Sequence, residues 1–252
     1  MKVWRNLAEW RAARAGPEFA GHTVGFVPTM GALHTGHRSL LERARAENSR
    51  VVLSIFVNPT QFNDPTDLAR YPRTLEEDLA LAGGLADHVL VPEAAELYPD
   101  DYHYRVSEDK FSRELEGAHR AGHFDGVLTV VLRLLNLVQA QRAYFGRKDW
   151  QQLHLVQGMV RAFFLPVEIV PCATVREPDG LALSSRNRRL SPEGRTRAAA
   201  FPRILHRAAD PAQALRELAA AGLEVDYVEE REGVRLGAVR LDGVRLIDNV
   251  ER

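Results

Sequence analysis

The sequence of 252 residues contains a single cysteine, Cys172, and only three lysines. One cysteine excludes an intrachain disulfide and is typical of proteins from reducing compartments. No apolar stretch reaches membrane-spanning length, and the first residues lack the apolar core of a signal peptide. The net charge of -1 argues against a general attraction to nucleic acids or membranes. We therefore expect a cytoplasmic protein without a nucleic-acid or membrane partner.

Short apolar runs alternate with helical patterns through the first two thirds of the chain. The apolar runs predict strands over residues 24–27, 51–57, 88–91, 143–145 and 167–170. Apolar residues at helical spacing predict helices over residues 7–14, 38–46, 76–82, 126–139 and about 148–162. This alternation is typical of a mostly parallel α/β sheet with helices on both faces.

The pattern changes near residue 175. Helices are predicted to begin at Ser191–Pro192 and Asp210–Pro211, since serine and aspartate cap helices and proline suits the first turn. Three strands of a small antiparallel sheet are then predicted over residues 223–229, 234–240 and 244–248. We therefore expect two domains, 1–174 and 175–252.

The segment between the first predicted strand and the next helix, PTMGALHTGH at 28–37, combines two glycines with two histidines. Glycine allows close approach of the backbone to a ligand, and a helix start offers unpaired N–H groups and a partial positive charge. His34 and His37 can donate hydrogen bonds to phosphate oxygens. A polar loop or a metal site is also open, but the context favours a nucleotide phosphate site over both.

Further cations follow later in the chain. Lys148 stands at a predicted helix start, where the dipole repels cations unless an anion lies between them. Ser184, Ser185 and Arg186 form either an ordinary polar turn or a mobile clamp on phosphates. Residues 176–207 hold eight arginines against three acids, which suits either a triphosphate or RNA, although no aromatic platform accompanies them.

Neutral amides lie near two strand-to-helix junctions. Gln61 and Gln152 are either solvated or hold the hydroxyl and carboxylate groups of a small polar substrate. Asn58, before Pro59, is either a turn residue or part of the same pocket. The acidic cluster at 76–78 is either a solvated helix face or a contributor to a magnesium site.

Seven stretches of the chain together resemble the pantothenate synthetase family, the pantoate–β-alanine ligases. They are PTMGALHTGH at 28–37, SIFVNPTQF at 54–62, YPRT at 71–74, ELEG at 114–117, HFDGVLTVV at 123–131, YFGRKDWQQL at 144–153 and DGLALSSRNRRL at 179–190. The resemblance covers nearly the whole chain. It departs from the family pattern at Leu183 in place of methionine, at Trp150 in place of tyrosine, and in the acidic cluster, which is not a run of aspartates.

The resemblance implies an H-x-G-H nucleotidyltransferase with a Rossmann-like amino-terminal domain and a smaller carboxyl-terminal lid. It implies that pantoate is joined to β-alanine through a pantoyl adenylate, with ATP converted to AMP and pyrophosphate in the presence of Mg²⁺. It also implies a homodimer formed through the amino-terminal domain.

The resemblance also assigns site residues. The ATP site would comprise Met30, His34, His37, Gly146, Lys148, Asp149, Val175, Leu183, Ser184, Ser185 and Arg186. Of these, the catalytic residues would be His34, His37, Lys148 and Arg186. Pantoate would be bound by Asn58, Gln61 and Gln152, with Tyr71, Glu116 and Arg120 near its pocket. The magnesium ligands would be Glu77 and Asp78.

Two other classes remain open from the residues alone. One is an adenylyl- or cytidylyltransferase that acts on a different small acid or on a phosphate ester. The other is a nucleotide-binding regulator that retains the pocket without turnover. Gln61 and Gln152 favour a small hydroxy acid over a phosphorylated acceptor, because both side chains are neutral amides and no cationic residue lies near Gln61 in the sequence.

Overall fold

The computed structural model describes residues 1–252 and divides into two compact units. The first comprises residues 1–146 and 151–172, and the second comprises residues 147–150 and 173–252. The segment 147–150 therefore groups with the carboxyl-terminal part of the chain, whereas the sequence analysis had placed it in the first domain. Hydrogen bonds from Asn249 to the carbonyls of Arg147 and Lys148 are consistent with this grouping.

The first unit contains a six-stranded sheet in which every strand pair is parallel. Its strands are β1 (Lys2–Trp4), β2 (Val24–Thr29), β3 (Arg50–Ile55), β4 (His88–Leu90), β5 (Arg142–Gly146) and β6 (Glu168–Cys172). The spatial order is β1-β4-β3-β2-β5-β6. The predicted parallel sheet is confirmed. Strand β1 was not predicted, because three residues are too few to establish an alternation.

Helices cover both faces of this sheet. They are α1 (Leu7–Arg14), α2 (Thr35–Glu47), α3 (Pro65–Ala69), α4 (Leu75–Ala82), α5 (Ala94–Leu97), α6 (Leu115–His119), α7 (His123–Val138) and α8 (Trp150–Ala162). Along β3, Val52 belongs to one apolar core, whereas Val51 and Leu53 belong to the other, as the alternation of a strand requires. Leu41 of α2 packs in the second core and Val131 of α7 in the first.

The second unit contains three further helices and a separate sheet. Its elements are α9 (Pro192–Ala198), α10 (Ala200–Arg207), α11 (Pro211–Ala220) and the antiparallel strands β7 (Glu224–Arg231), β8 (Val234–Leu241) and β9 (Val244–Glu251). The antiparallel sheet is confirmed. The single helix predicted from Ser191 is divided at Ala199, because Pro202 has no N–H to donate to the carbonyl of Ala198.

The order of the strands places the candidate site. From β2, the chain proceeds through β3 and β4 to one side, and β5 and β6 lie on the other side. Ligands of open α/β sheets bind beyond the carboxyl ends of the strands at such a reversal. The loop after β2 and the end of β5 therefore flank the expected binding position. No helix in the chain is both long enough and apolar enough to cross a membrane.

Candidate active site

The loop from Met30 to Leu33 joins β2 to α2, and His34 is the N-cap of that helix. The Nδ1 atom of His34 accepts a hydrogen bond from the amide of Gly36 at 3.1 Å. The Nδ1 atom of His37 accepts one from the amide of His34 at 3.3 Å. The two rings lie with their centroids 4.1 Å apart. The two histidines thus cap the helix and contact each other.

This capping determines which ring nitrogen carries the proton. An Nδ1 atom that accepts an amide hydrogen has no proton of its own, so each neutral imidazole carries its proton on Nε2. The first turn of α2 contains no acidic residue, so the positive end of the helix dipole is not neutralised there. The pair therefore has the donor chemistry that a phosphate site requires.

Asp78 of α4 binds the same loop through its backbone amides. Its Oδ2 atom accepts from the amide of Ala32 at 3.0 Å, and its Oδ1 atom accepts from the amide of Leu33 at 2.7 Å. Asp78 is 2% exposed, whereas Glu77 is exposed. The structure therefore does not present these two carboxylates as a matched pair of magnesium ligands, because both oxygens of Asp78 are engaged by the loop.

Asn58 and Gln61 lie together beyond the end of β3. The Asn58 side chain is 1% exposed and donates from Nδ2 to Gln61 Oε1 at 3.0 Å and to the carbonyl of Gly126 at 3.1 Å. Its Oδ1 atom accepts from the hydroxyl of Tyr98 at 2.7 Å. Burial raises the pKa of Tyr98 to about 12, which keeps this hydroxyl a donor. Asn58 thus orients Gln61, and its own two Nδ2 hydrogens are both used.

Arg120 and His123 complete this cluster. His123 Nδ1 lies 2.9 Å from the carbonyl oxygen of Gln61 and donates to it, because a carbonyl can only accept. Its Nε2 then accepts from Arg120 Nη1 at 3.0 Å. The structure therefore brings three predicted pocket residues, Asn58, Gln61 and Arg120, into one hydrogen-bonded group. His123 was not predicted, although it begins one of the family motifs.

Glu116 is connected to the first turn of α8 through a residue that sequence reasoning missed. Gln151 is buried, accepts from the amide of Glu116 at 3.0 Å and donates to the carbonyl of Glu114 at 2.9 Å. Gln152, its predicted neighbour, is half-buried on the same turn. Tyr71 is buried and packs edge-on against Phe62, with ring centroids 5.7 Å apart.

The second unit contains the remaining predicted cations. Lys148 is 19% exposed, and its ammonium lies 3.9 Å from Asp149 Oδ1. Gly146, which ends β5, belongs to the first unit. Asn249 of β9 donates to the carbonyls of Arg147 and Lys148, each at 2.9 Å. Nothing local in the sequence marks Asn249 as a neighbour of Lys148.

The residues after β6 form a short turnback within the second unit. The amide of Leu183 donates to the carbonyl of Val175 at 3.0 Å, so these two predicted ATP-site residues are adjacent. Ser184 caps a 3₁₀ helix, Ser185–Arg189, by accepting from the amide of Arg186 at 3.3 Å. Ser184, Ser185 and Arg186 therefore lie on one turn, and all three are half-buried.

The chain matches the family model described as pantoate-beta-alanine ligase over residues 2–251. A pantothenate synthetase from Bdellovibrio bacteriovorus is 54% identical over 99% of this chain and 99% of its own length. One from Paracoccus denitrificans is 52% identical over 98% of this chain and 97% of its own. The chain belongs to the pantoate–β-alanine ligase family.

Solved structures of family members agree with the fold. The pantoate-beta-alanine ligase of Francisella tularensis, crystallised with beta-gamma ATP and β-alanine, matches with a TM-score of 0.95 and 37% identity, over 100% of this chain and 97% of its own. The pantothenate synthetase of Thermus thermophilus matches with a TM-score of 0.88 and 46% identity, over 100% of this chain and 99% of its own. The family resemblance and the fold derived from the sequence are both confirmed.

Proposed function

We propose that this pantoate–β-alanine ligase condenses pantoate with β-alanine to give pantothenate, AMP and pyrophosphate. The observation that carries the proposal is the pair His34 and His37 at the start of α2, beyond β2 at the reversal of strand order, in a chain that matches the ligase family from residue 2 to residue 251. ATP is the nucleotide substrate, in agreement with the ATP-containing crystal structure of the Francisella tularensis relative.

In the first half-reaction, the pantoate carboxylate attacks the α-phosphorus of ATP. A new phosphorus–oxygen bond forms, and the bond to the β-phosphate oxygen breaks to release pyrophosphate. No residue of the protein forms a covalent bond to the substrate in this step. Catalysis therefore consists of positioning the reactants and stabilising the charge on the phosphates. We assign the Nε2 donors of His34 and His37, together with Lys148 and Arg186, to this stabilisation.

In the second half-reaction, the unprotonated amine of β-alanine attacks the acyl carbon of pantoyl adenylate. The carbon–nitrogen bond forms as the bond to AMP breaks, and the nitrogen loses a proton. Gln61 is assigned to pantoate, because Asn58 occupies its Oε1 atom and thereby directs its NH₂ group as the donor. Gln152, half-buried on the first turn of α8, is assigned to the same substrate.

We propose that Mg²⁺ binds to the enzyme in complex with the ATP phosphates. The chain has no group of three or more His, Cys, Asp or Glu side chains placed to hold a metal ion. Asp78 is committed to the loop amides, so the predicted pair Glu77 and Asp78 does not fit a metal site. No step of the reaction is assigned to that pair.

Two further properties follow from the family resemblance, and a third, the cellular location, follows from the composition of the sequence. We propose a cytoplasmic location, which the single cysteine Cys172 supports, and a homodimer formed through the amino-terminal unit. The lid role of residues 175–252 stays a prediction. Sedimentation of the purified chain tests the dimer, and a monomer at micromolar concentration would contradict it.

The reaction is tested by measuring pyrophosphate release from ATP and magnesium, first with pantoate alone and then with β-alanine added. Release that requires pantoate, followed by sustained turnover and AMP only with β-alanine, would support both half-reactions and their order. ATP binding without pantoate-dependent release would retain the nucleotide site and refute the substrate assignment. A parallel panel of other small acids and phosphate esters separates this ligase from other nucleotidyltransferases.

A further inference from the structure

The loop between β2 and α2 has an unusual backbone. Gly31 and Ala32 both adopt positive φ angles, 80° and 50°. Glycine adopts this region readily, but an alanine Cβ crowds the neighbouring carbonyl there. Such a conformation persists only where the surrounding structure enforces it. Some feature of the fold must therefore hold Ala32 immediately before the two histidines.

The carboxylate of Asp78 is that feature. It receives the amides of Ala32 and Leu33 on separate oxygens, at 3.0 and 2.7 Å, and the hydroxyl of Thr74 on Oδ1 at 3.2 Å. Hydrogen bonds from amides to a buried carboxylate are among the stronger ones in proteins. A Cβ on Gly31 would lie 2.9 Å from Asp78 Oδ2, so the loop passes as close to the carboxylate as glycine permits.

We infer that Asp78 is a positioning residue, whose carboxylate fixes the left-handed backbone at Ala32 and thereby the placement of His34 and His37. The inference rests on the proposed function, in which those histidines contact the ATP phosphates. It replaces direct metal binding by Asp78. The inference also predicts that neutralising Asp78 weakens ATP binding. Electrostatic repulsion alone predicts the opposite, because removing a negative charge near ATP would tighten ATP binding.

The test is Asp78→Asn, with Glu76→Gln as the matched control. Asparagine keeps the shape of Asp78 but places an NH₂ group against one loop amide, whereas Glu76 is an exposed carboxylate on the same turn. We expect Asp78→Asn to weaken ATP-analogue binding and to raise KM for ATP by about 10- to 100-fold, the loss expected for one or two charge-assisted hydrogen bonds. KM for pantoate and the magnesium concentration for half-maximal activity should change less than threefold.

Several outcomes would overturn the inference. These are unchanged or tighter ATP binding in Asp78→Asn, or a shift in magnesium requirement larger than the shift in ATP affinity. If Asp78→Asn does not fold, Thr74→Val decides, since it removes only the hydroxyl donor and should weaken ATP binding severalfold with pantoate unaffected. ATP-analogue binding by calorimetry keeps the inference testable even if the unmodified chain shows no pantoate-dependent turnover, a result that would refute the proposed function alone.

An independent observation concerns Lys148. Asn249 donates both hydrogens of its side-chain amide to the carbonyls of Arg147 and Lys148. The backbone carbonyl of Asn249 accepts a hydrogen bond from Arg176 at 3.0 Å. Arg176 also pairs with both carboxylate oxygens of the buried Asp248, at 2.7 and 3.0 Å. Asn249, which holds the Lys148 backbone, is therefore itself bound to Arg176, and Arg176 is paired with the neighbouring Asp248.

We propose that Asn249 is a second positioning residue, which fixes the Lys148 backbone for the phosphate contact assigned to that ammonium. Asn249→Asp would turn two donors into acceptors that face carbonyls, and we expect KM for ATP to rise about tenfold. Glu251→Gln, which alters an exposed partner of Arg147, is the control and should leave KM unchanged.

A double-mutant cycle with Lys148→Ala separates positioning from general support. If Asn249 acts through Lys148, Asn249→Asp should change ATP binding less than twofold once Lys148 is alanine. Additive losses in the double variant, or unchanged KM in Asn249→Asp, would overturn this second proposal. If the aspartate variant does not fold, Asn249→Ser in the same cycle gives the answer with a smaller disturbance.

Discussion

Gly126 is the point at which helix α7 touches the turn that carries Gln61. A Cβ at this position would lie 2.5 Å from the carbonyl oxygen of Thr60 and 2.7 Å from the amide nitrogen of Gln61. Contacts between non-bonded heavy atoms are normally about 3.5–4.0 Å, so Gly126→Ala requires a separation of roughly 1 Å. Backbone atoms cannot rotate out of the way. The Gly126 carbonyl also accepts from Asn58, so the shift disturbs the residue that orients Gln61.

The magnitude is obtained by comparison with Gly158→Ala. Gly158 lies within helix α8, and its Cβ would meet nothing within 4 Å. Both substitutions gain the helical preference of alanine over glycine, about 1 kcal/mol, so their difference isolates the overpacking penalty of about 1–3 kcal/mol. For a chain of this size, each kcal/mol lowers the melting temperature by about 2–4 °C.

The assays are denaturant unfolding and steady-state kinetics of both variants. We expect Gly126→Ala to be the less stable protein and to raise KM for pantoate at least tenfold, about 1.4 kcal/mol, while KM for ATP changes little. Gly158→Ala should be as stable as the unmodified chain or more so, with unchanged KM values. Equal stability of the two variants, together with unchanged KM for pantoate, would refute the packing argument.

Three further predictions concern single side chains. His34→Ala and Lys148→Ala should each lower the rate of pyrophosphate release by about 10²–10³-fold, the loss typical of one preorganised donor, and losses below threefold for both would refute their roles. Gln61→Ala should raise KM for pantoate much more than KM for ATP; equal effects would show that the pocket is drawn wrongly. Burial, opposed in part by Glu18, lowers the pKa of His88, whose Nδ1 accepts from Trp4 Nε1 at 3.1 Å. The His88 imidazole therefore binds a proton more readily in the unfolded chain than in the folded chain. The free energy of unfolding should fall as pH drops below about 6.5, the ordinary pKa of histidine. His88→Gln should make the free energy of unfolding less dependent on pH, as measured by denaturant titrations at pH 7.5 and 5.5.

The sheet could be predicted because each central strand carries its own signal. Six of residues 51–57 are apolar, with Ser54 as the exception, which is typical of a strand buried on both faces, and Pro59 marks where a central strand cannot continue. Strand β1 has no such signal, since it is an edge strand of three residues that pairs only with β4. Pro202 marks the division between α9 and α10 in the sequence. A proline is tolerated in the first turn of a helix but interrupts a helix interior, so its effect could be predicted only with the helix start known.

The candidate site residues could be proposed from the sequence for a related reason. His34 is the N-cap of α2, Lys148 follows the end of β5, and Gln61 ends the 3₁₀ helix that follows β3. Parallel sheets bind ligands near such strand ends. Position along the chain was therefore enough to single them out. The grouping of Asn58, Gln61 and Arg120 into one hydrogen-bonded cluster of the first unit became visible only in the folded structure.

The contacts that hold these side chains in place carry no local signal, because the two partners of each contact are far apart in the sequence. Asp78 binds an amide 46 residues earlier, Asn58 binds a carbonyl 68 residues later, and Asn249 binds a carbonyl 101 residues earlier. Helical and strand periodicities relate residues only one to four positions apart, so they cannot detect such pairs. Taken by itself, each of these residues looks like a solvated carboxylate or a turn amide. Since a catalytic group displaced by 1 Å can lose about 10²-fold in rate, substitutions at Asp78 and Asn249 should impair the use of ATP by about 10- to 100-fold, less than removal of the groups that they hold.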